Sequence, residues 1–342
     1  MARRISDGGD DGMTMNENTQ PLLQVNELKQ HFFLKKERLF GAQQVVKAVD
    51  GVSFNIMPGE TLSIVGESGC GKSTTGRAIL RLDEPTSGEV LLFGKNLVEM
   101  NKKELRAARK DIQIIFQDPY ASLNPRRTIR KMLTEAMSIQ KIVPPVQQES
   151  RMLELMSLVG LRPEYLERYP HEFSGGQRQR IGIARALAVN PKIIICDESV
   201  SALDVSIQAQ ILNLLKKLQR DLDLTFLFIS HDLSVVRHIS DRVMVMYLGK
   251  VVEIADKHSL FSQPLHPYTK ALFSSIPIID KQHRKERIIL KGDIPSPLNP
   301  PTGCSFHTRC PFATDKCKVE IPALREINTT HKVACHFAEN LV

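Results

Sequence analysis

The sequence has no apolar run long enough to cross a membrane. No stretch approaches the ~18–20 consecutive apolar residues that a membrane-spanning helix needs. Residues 1–19 are polar and rich in Asp, Asn and Gly, without the apolar segment of a secretory signal peptide, so they are predicted to be a disordered tail. These absences predict a cytosolic protein that reaches a membrane only through partner proteins.

Cysteine is scarce, and one feature of nucleic-acid-binding proteins is missing. The 342 residues include six cysteines, and in a cytosolic protein these argue against a disulfide framework and toward a metal site or chance. The formal charge is +8, but no arginine-rich run with interleaved aromatic residues accompanies it. Charge alone therefore does not indicate a nucleic-acid partner, and the length suits one large α/β domain with an extension.

Short apolar runs predict an α/β fold. Residues 22–65 contain three strand patterns, and residues 193–196, 225–229 and 243–247 form further apolar runs. The runs at 193–196 and 225–229 end at polar residues, as buried parallel strands do when they deliver side chains to the edge of an open sheet where ligands bind. Residues 120–172 are mostly helical in pattern, with a Met/Leu stripe at 152–159 that predicts packed core. From about residue 280, Pro, Cys and charged residues predict a separate extension with little room for a core.

A phosphate-binding loop is predicted at residues 66–73. Their sequence, GESGCGKS, matches G-x-x-x-x-G-K-[ST] and lies between a predicted strand and a predicted helix, as that motif requires. Backbone N–H groups of such a loop surround phosphate oxygens, Lys72 reaches the β- and γ-phosphates, and Ser73 binds Mg²⁺. The predicted nucleotide-binding residues of this segment are Gly66, Ser68, Gly69, Cys70, Gly71, Lys72, Ser73 and Thr74.

Two carboxylates follow the apolar run at 193–196. Asp197 is placed to hold Mg²⁺, directly or through water, and Glu198 beside it is placed to polarise the attacking water. Adjacent carboxylates at a strand end also cap helices, but the upstream phosphate-binding loop favours catalysis.

The segment FSGGQRQR at residues 173–180 identifies a family. Together with the phosphate-binding loop, Asp197–Glu198, Gln117 and His231 in this order, it resembles the nucleotide-binding domain of ABC transporters over residues 22–275. Ser174, Gly175, Gly176 and Gln177 open a predicted helix (178–189) whose N-terminus attracts anionic phosphate. In that family this segment addresses the γ-phosphate held by the opposite subunit, so two ATP molecules are buried between head-to-tail subunits.

The resemblance implies further site residues. Phe32 falls where an aromatic residue stacks on adenine, with Val46 nearby and His31 and Phe33 as alternatives. Gln117 is expected to sense Mg²⁺ and the attacking water, His231 to contact the γ-phosphate, and Asp204 to belong to a loop that contacts the opposite subunit. Ser199 stands where many relatives have Pro, and Phe173 where Leu is commoner; neither change removes a phosphate, Mg²⁺ or water contact.

Motifs after Gln117 narrow the resemblance to one subfamily. QDPYASLNP at 117–125, HPYTKAL at 266–272 and IPSPLNPPTGC at 294–304 resemble dipeptide, oligopeptide and nickel importer ATPases, above all the second ATPase of a peptide system. This implies a related ATPase as heterodimer partner, two permease subunits and an extracytoplasmic peptide-binding protein, with this chain at the cytoplasmic face of a bacterial inner membrane.

The chain is expected to divide into a tail (1–19), an ATPase domain (20–275, with a helical subdomain at about 118–180) and a C-terminal extension (276–342).

Four of the six cysteines lie in the extension, with the spacing C-x5-C-x6-C-x17-C. They are Cys304, Cys310, Cys317 and Cys335. The spacing is not that of a standard zinc ribbon or ferredoxin, but the concentration predicts a ligand that stabilises a small segment. The resemblance implies a [4Fe–4S] cluster; zinc, with His307 or His336, and unliganded thiols are the alternatives.

Two other functions remain as alternatives. A nickel or other small-solute importer ATPase would differ only in its partners. A soluble ABC ATPase acting on DNA or ribosomes is disfavoured, because about 100 residues separate Ser73 from Ser174 without a heptad run, and that class usually carries a second ATPase domain or a long coiled coil.

Overall fold

The computed structural model describes residues 20–34, 43–276 and 288–341, so the predicted tail at 1–19 lies outside the described residues. Two sheets form the framework. The smaller sheet consists of β1 (Leu23–Phe33), β2 (Val45–Ile56), β4 (Ser87–Leu92) and β5 (Lys95–Asn96). The larger sheet consists of β3 (Thr61–Val65), β6 (Ile112–Ile115), β7 (Ile193–Asp197), β8 (Thr225–Ile229), β9 (Arg242–Tyr247), β10 (Lys250–Asp256), β11 (Arg325–Asn328) and β12 (His331–Val333).

The larger sheet is parallel at its centre and antiparallel at one edge. Its strand order is β11-β12-β10-β9-β3-β8-β7-β6, and the ladders from β9 to β6 are parallel. Every residue of β3, β7 and β8 is buried, as expected for central parallel strands covered on both faces. The smaller sheet has the order β2-β1-β4-β5 and is antiparallel throughout.

Ten α-helices are described, and side-chain caps mark the start of six of them, α2, α3, α5, α7, α8 and α9. They are α1 (Lys72–Ile79), α2 (Lys102–Ala108), α3 (Ile129–Gln140), α4 (Gln148–Leu158), α5 (Gly175–Leu187), α6 (Val205–Leu222), α7 (Leu233–Ile239), α8 (Lys257–Ser262), α9 (Pro267–Ser274) and α10 (Asp315–Val319). Helix α5 begins three residues before the position that the sequence predicted, because Ser174 and Gln177 form a capping box that stabilises the first turn. Among the described residues, none of the helices has both the length and the apolar character that a membrane span requires.

The helical layer packs on the β6-β7-β8 side of the larger sheet. Met152, Leu155 and Met156 of α4 are at most 3% exposed and join one core cluster with residues of α3, α5 and α6. The prediction that the stripe at 152–159 is core is therefore confirmed for these positions.

The extension shares the core of the ATPase domain, in contrast to the separate unit that its composition predicted. Strand β12 pairs with β10, so β11 and β12 continue the larger sheet. Phe306 is 1% exposed and packs against Tyr247 of β9 and Tyr268 of α9, with ring centroids 5.3 and 5.4 Å away. A segment with few apolar residues can fold in this way because the parent domain supplies an edge strand and an apolar surface.

A buried carboxylate fastens this junction. Glu253 of β10 accepts hydrogen bonds from the backbone N–H groups of Leu265 (2.7 Å) and His266 (3.0 Å), and lies 2.7 Å from Nε2 of His331.

Replacing Glu253 with Ala leaves these buried groups without their partner, so we expect the free energy of unfolding to fall by about 3–5 kcal/mol. Urea unfolding measures this. Glu326→Ala, which removes an exposed ion pair with Lys332, is the control and is expected to cost under about 1 kcal/mol; equal losses in both variants would contradict the account.

Candidate nucleotide site

The phosphate-binding loop joins β3 to α1, and its glycines are required by its shape. Gly66, Gly69 and Gly71 all have positive φ, and a Cβ on Gly71 would lie 2.1 Å from the carbonyl oxygen of Ala48. A side chain at Gly71 is thus excluded both by conformation and by space. The chain turns here so that the N-terminus of α1, beginning at Lys72, faces the loop.

Lys72 is held inside the loop. Its side chain is nearly buried, and Nζ donates to the carbonyl oxygens of Gly66 (2.9 Å) and Glu67 (3.0 Å). Neutral carbonyls are its hydrogen-bond partners, so the ammonium charge remains available to an anionic ligand in the loop. The arrangement can therefore bind a phosphate group.

Of the three residues predicted to contact Mg²⁺ (Ser73, Gln117 and Asp197), Ser73 and Asp197 lie next to each other. The Ser73 hydroxyl donates to Oδ1 of Asp197 at 2.6 Å, although 124 residues separate the two in sequence. Burial raises the pKa of Asp197 above its ordinary value, and the hydrogen bond from Ser73 offsets part of that effect. A hydroxyl beside a carboxylate is an oxygen donor set of the kind that Mg²⁺ prefers.

Glu198 lies at the centre of the predicted catalytic group. Its Oε2 accepts a 2.8 Å hydrogen bond from Nε2 of Gln117, and its Oε1 lies 3.3 Å from Nδ1 of His231. Glu198 has φ of 45°, an unusual backbone conformation for a non-glycine residue. Gln117 and His231, from two other loops, thus meet at the Glu198 carboxylate, an arrangement able to hold and polarise a water molecule.

The predicted adenine-binding pair lies on the smaller sheet. Phe32 of β1 stands opposite Val46 of β2 in the strand register, and its side chain is 39% exposed. A partly exposed ring beside an aliphatic residue provides a flat apolar surface for a base. Of the two alternatives, Phe33 is more exposed at 59%, and Nε2 of His31 lies 3.1 Å from Oδ1 of Asp50.

The segment at 173–177 forms a surface-exposed helix start. Ser174 is exposed and Gly175 and Gly176 are partly exposed, and the Ser174 hydroxyl accepts a bond from the backbone of Gln177. A Cβ on Gly176 would lie 2.5 Å from Cγ2 of Ile207, so glycine is required where α5 crosses α6. Asp204 is exposed at the N-terminus of α6 and makes no side-chain capping bond there.

Four thiols of the extension surround one small cavity. Cys304, Cys310, Cys317 and Cys335 line it together with His266, His307 and His336, and its volume is about 20 Å³, room for one water. Burial raises the pKa of the Cys304 and Cys335 thiols and that of Cys310 to about 11. Over the described residues, no group of three or more His, Cys, Asp or Glu side chains has the geometry to hold a metal ion.

Two contacts around the site were missed by the sequence reasoning. Arg309 of the extension forms a bidentate ion pair with Glu67 of the phosphate-binding loop. The Arg178 guanidinium lies 3.6 Å from the ring centroid of Tyr120, so a residue of the 173–180 segment stacks on the loop that follows Gln117. The only sequence signal was that Tyr120 and Arg178 fall within motifs; nothing in the pattern pairs Arg309 with Glu67.

Comparisons with known proteins agree with this geometry. A family model described as ABC transporter matches residues 49–201, and one described as oligopeptide/dipeptide transporter, C-terminal region, matches residues 252–317. The oligopeptide transport ATP-binding protein AppF of Bacillus subtilis is 54% identical over 322 residues, covering 93% of this chain and 98% of AppF. The chain belongs to the ABC transporter family.

Other relatives extend the comparison. The oligopeptide transport ATP-binding protein OppF of Haemophilus influenzae is 51% identical over 328 residues, 94% of this chain and 99% of OppF. The dimeric structure of MJ0796, a bacterial ABC transporter cassette, aligns with a TM-score of 0.60 at 30% identity and covers 69% of this chain and 98% of its own. The ABC ATPase fold predicted from the sequence is therefore confirmed.

Proposed function

We propose that this chain is the ATP-binding and ATP-hydrolysing subunit that energises a membrane importer of dipeptides or oligopeptides. The observation that carries the ATPase function is the convergence of Gln117 and His231 on Glu198, one residue after Asp197, which contacts Ser73 of the phosphate-binding loop. The names of AppF and OppF, with the match to an oligopeptide/dipeptide C-terminal region, favour peptides over nickel as cargo.

The proposed mechanism assigns one task to each group. Lys72 neutralises charge on the β- and γ-phosphates, and Ser73 and Asp197 would hold Mg²⁺, which supplies further neutralisation when bound. Glu198 accepts a proton of the attacking water as the water oxygen bonds to the γ-phosphorus and the bond from that phosphorus to the β–γ bridging oxygen breaks, so that ADP leaves and phosphate is formed. Gln117 and His231 fix the orientation of the Glu198 carboxylate, because each contacts a different oxygen of it.

The site is proposed to be completed by a second ATPase subunit. The exposed start of α5 at Ser174 offers backbone N–H groups and a positive helix end to a γ-phosphate, and exposed Asp204 lies on the same surface region through the contact between α5 and α6. In the proposed assembly this helix end faces the loop of a related ATPase, as in a head-to-tail dimer.

A cleft beside Gln117 is proposed to receive a permease subunit. Phe116, Gln117, Ile139, Gln140 and Arg185 are among its lining residues, and Ile139 is 47% exposed. The cleft lies between the predicted helical subdomain and the edge strand β6, so a segment docked there would touch Gln117 and hence the site. Two permeases, together with an extracytoplasmic peptide-binding protein, would place the chain at the cytoplasmic face of the membrane.

The assembly is tested by pull-down of the tagged chain from membranes, followed by identification of the co-purifying subunits. We expect two permeases and a related ATPase to co-purify. A peptide-binding protein is expected to associate with this assembly, either physically or by genetic linkage. Ile139→Asp is expected to reduce permease recovery at least about 10-fold by placing a charge in the cleft. Val146→Asp, at a position 89% exposed and outside the cleft-lining residues, is the control; unchanged recovery with Ile139→Asp would contradict the docking surface.

We also propose that the four-cysteine cavity holds a [4Fe–4S] cluster. The donor chemistry supports this, since four thiols line one cavity, with three histidines and no carboxylate, and iron–sulfur clusters are held by cysteine thiolates. The raised thiol pKa values mean that a bound cation or cluster is needed to keep the sulfurs deprotonated at neutral pH. The present volume of about 20 Å³ requires the thiols to move apart as the cluster binds.

Anaerobic purification tests the cluster. A brown protein with equal amounts of iron and acid-labile sulfide is expected, and Cys310→Ser should lose both. Cys70→Ser, which alters a buried cysteine of the phosphate-binding loop instead, should keep them. A colourless protein with stoichiometric zinc would overturn the assignment.

A further inference from the structure

The Cys-bearing extension contacts the phosphate-binding loop through one charged pair. Nη1 of Arg309 donates to Oε2 of Glu67 at 2.8 Å, and Nη2 donates to Oε1 at 3.1 Å. The Arg309 side chain is 8% exposed and that of Glu67 is 25% exposed. A two-point, largely buried guanidinium–carboxylate pair fixes orientation as well as distance.

Glu67 uses each of its polar groups to connect different parts of the molecule. Its carboxylate binds Arg309, its backbone N–H donates to the Tyr268 hydroxyl at 2.9 Å, and its carbonyl oxygen accepts from Nζ of Lys72 at 3.0 Å. Glu67 therefore links Arg309 directly to Lys72, so a shift of Arg309 also affects the placement of this lysine.

Arg309 is itself firmly placed. Its backbone N–H donates to the carbonyl oxygen of Phe306, whose ring is buried against Tyr247 and Tyr268. Its neighbour in sequence, Cys310, lines the four-cysteine cavity. The same turn thus touches the phosphate-binding loop on one side and the cavity on the other.

We propose that Arg309 is a positioning residue for the phosphate-binding loop and couples the Cys-bearing extension to nucleotide affinity. The inference rests on the proposed nucleotide site at residues 66–73. Arg309 acts in two ways. It holds the Glu67 side chain, and the backbone of Glu67 in turn contacts Tyr268 and Lys72. It also neutralises a carboxylate in a loop that binds an anionic ligand. Because coupling between sites is reciprocal, bound MgATP also stabilises the turn at Arg309.

Nucleotide binding to the full-length chain separates these effects. Arg309→Gln leaves the Glu67 carboxylate unpaired beside the phosphates, so we expect the Kd of a fluorescent ATP analogue with Mg²⁺ to rise about 10-fold, within the range typical of coupled sites. Glu67→Gln removes the charge together with the pair and is expected to raise Kd by about 3-fold or less. The double variant should resemble Glu67→Gln, because the repelling charge is then absent.

Arg325→Gln is the matched control. Arg325 lies in the same extension, forms a bidentate pair with Glu339 and donates to the carbonyl oxygen of Cys335, but its pairs do not include the phosphate-binding loop. We expect its Kd to stay within about 2-fold of wild type. Hydrogen exchange at residues 303–312 provides a second readout: MgATP should slow it in wild type and not in Arg309→Gln at saturating nucleotide.

The outcomes are distinct. A wild-type chain that does not bind MgATP contradicts the nucleotide site itself. A wild-type Kd for the ATP analogue in Arg309→Gln overturns the coupling and leaves the nucleotide site standing. The coupling is also overturned if Arg325→Gln raises this Kd as much as Arg309→Gln does. A double variant as weak as Arg309→Gln shows that the arginine only packs, and also overturns the proposal.

Discussion

Glu198→Gln is expected to lower the ATPase rate of the assembled transporter at least about 100-fold, in line with the contribution of a general base. The amide keeps the shape of the side chain and can still contact Gln117 and His231, but it cannot accept the proton of the attacking water. ATP binding should therefore persist, and the closed dimer should accumulate with unhydrolysed nucleotide. Phosphate release gives the rate, and size-exclusion chromatography with MgATP detects the trapped dimer.

Glu89→Gln is the matched control for this experiment. Glu89 lies on β4 of the smaller sheet, where its carboxylate accepts a hydrogen bond from Asn26, and the same change there should leave the rate unaltered. A near-normal rate with Glu198→Gln would refute its assignment as general base.

Lys72→Ala is expected to weaken binding of MgATP at least about 30-fold, or about 2 kcal/mol, because it removes the positive charge nearest to the predicted phosphates. The carbonyl oxygens of Gly66 and Glu67 lose their donor as well. These two carbonyl oxygens then face the ligand without a donor between them, which disfavours an anion there. Titration with a fluorescent ATP analogue measures the change.

Two controls keep this result specific. Lys110→Ala, at an exposed position, removes the same charge from the chain and should leave affinity unaltered. Thermal unfolding without nucleotide shows whether Lys72→Ala remains folded; a folded variant with wild-type affinity would contradict the role given to Lys72.

Local sequence patterns predicted the parts of the site that lie within single segments. The phosphate-binding loop needs glycines with positive φ, and such a need is visible as Gly66, Gly69 and Gly71 in the sequence. Buried parallel strands are visible as apolar runs, so the sequence alone places the strand ends that carry Asp197 and His231. The order of the motifs then predicted the ABC fold.

Contacts between distant segments could not be predicted in the same way. Composition suggested a separate extension, yet the hairpin β11–β12 pairs with β10 and continues the larger sheet. The composition of the extension could not show this, because β10 belongs to another part of the chain. The pair Glu67–Arg309 spans 242 residues and has no periodic signal. Such contacts depend on tertiary packing, which no local pattern encodes.

The central claim is that this chain contributes half of a composite site, with its own phosphate-binding loop facing the helix start of another subunit. The most direct test is the specific ATPase activity of the purified chain across a range of protein concentrations, with dimer content measured on the same samples. We predict slow hydrolysis that rises with dimer content and rises further when the partner ATPase is added. A high specific activity that stays constant at concentrations where no dimer is detectable would contradict the claim.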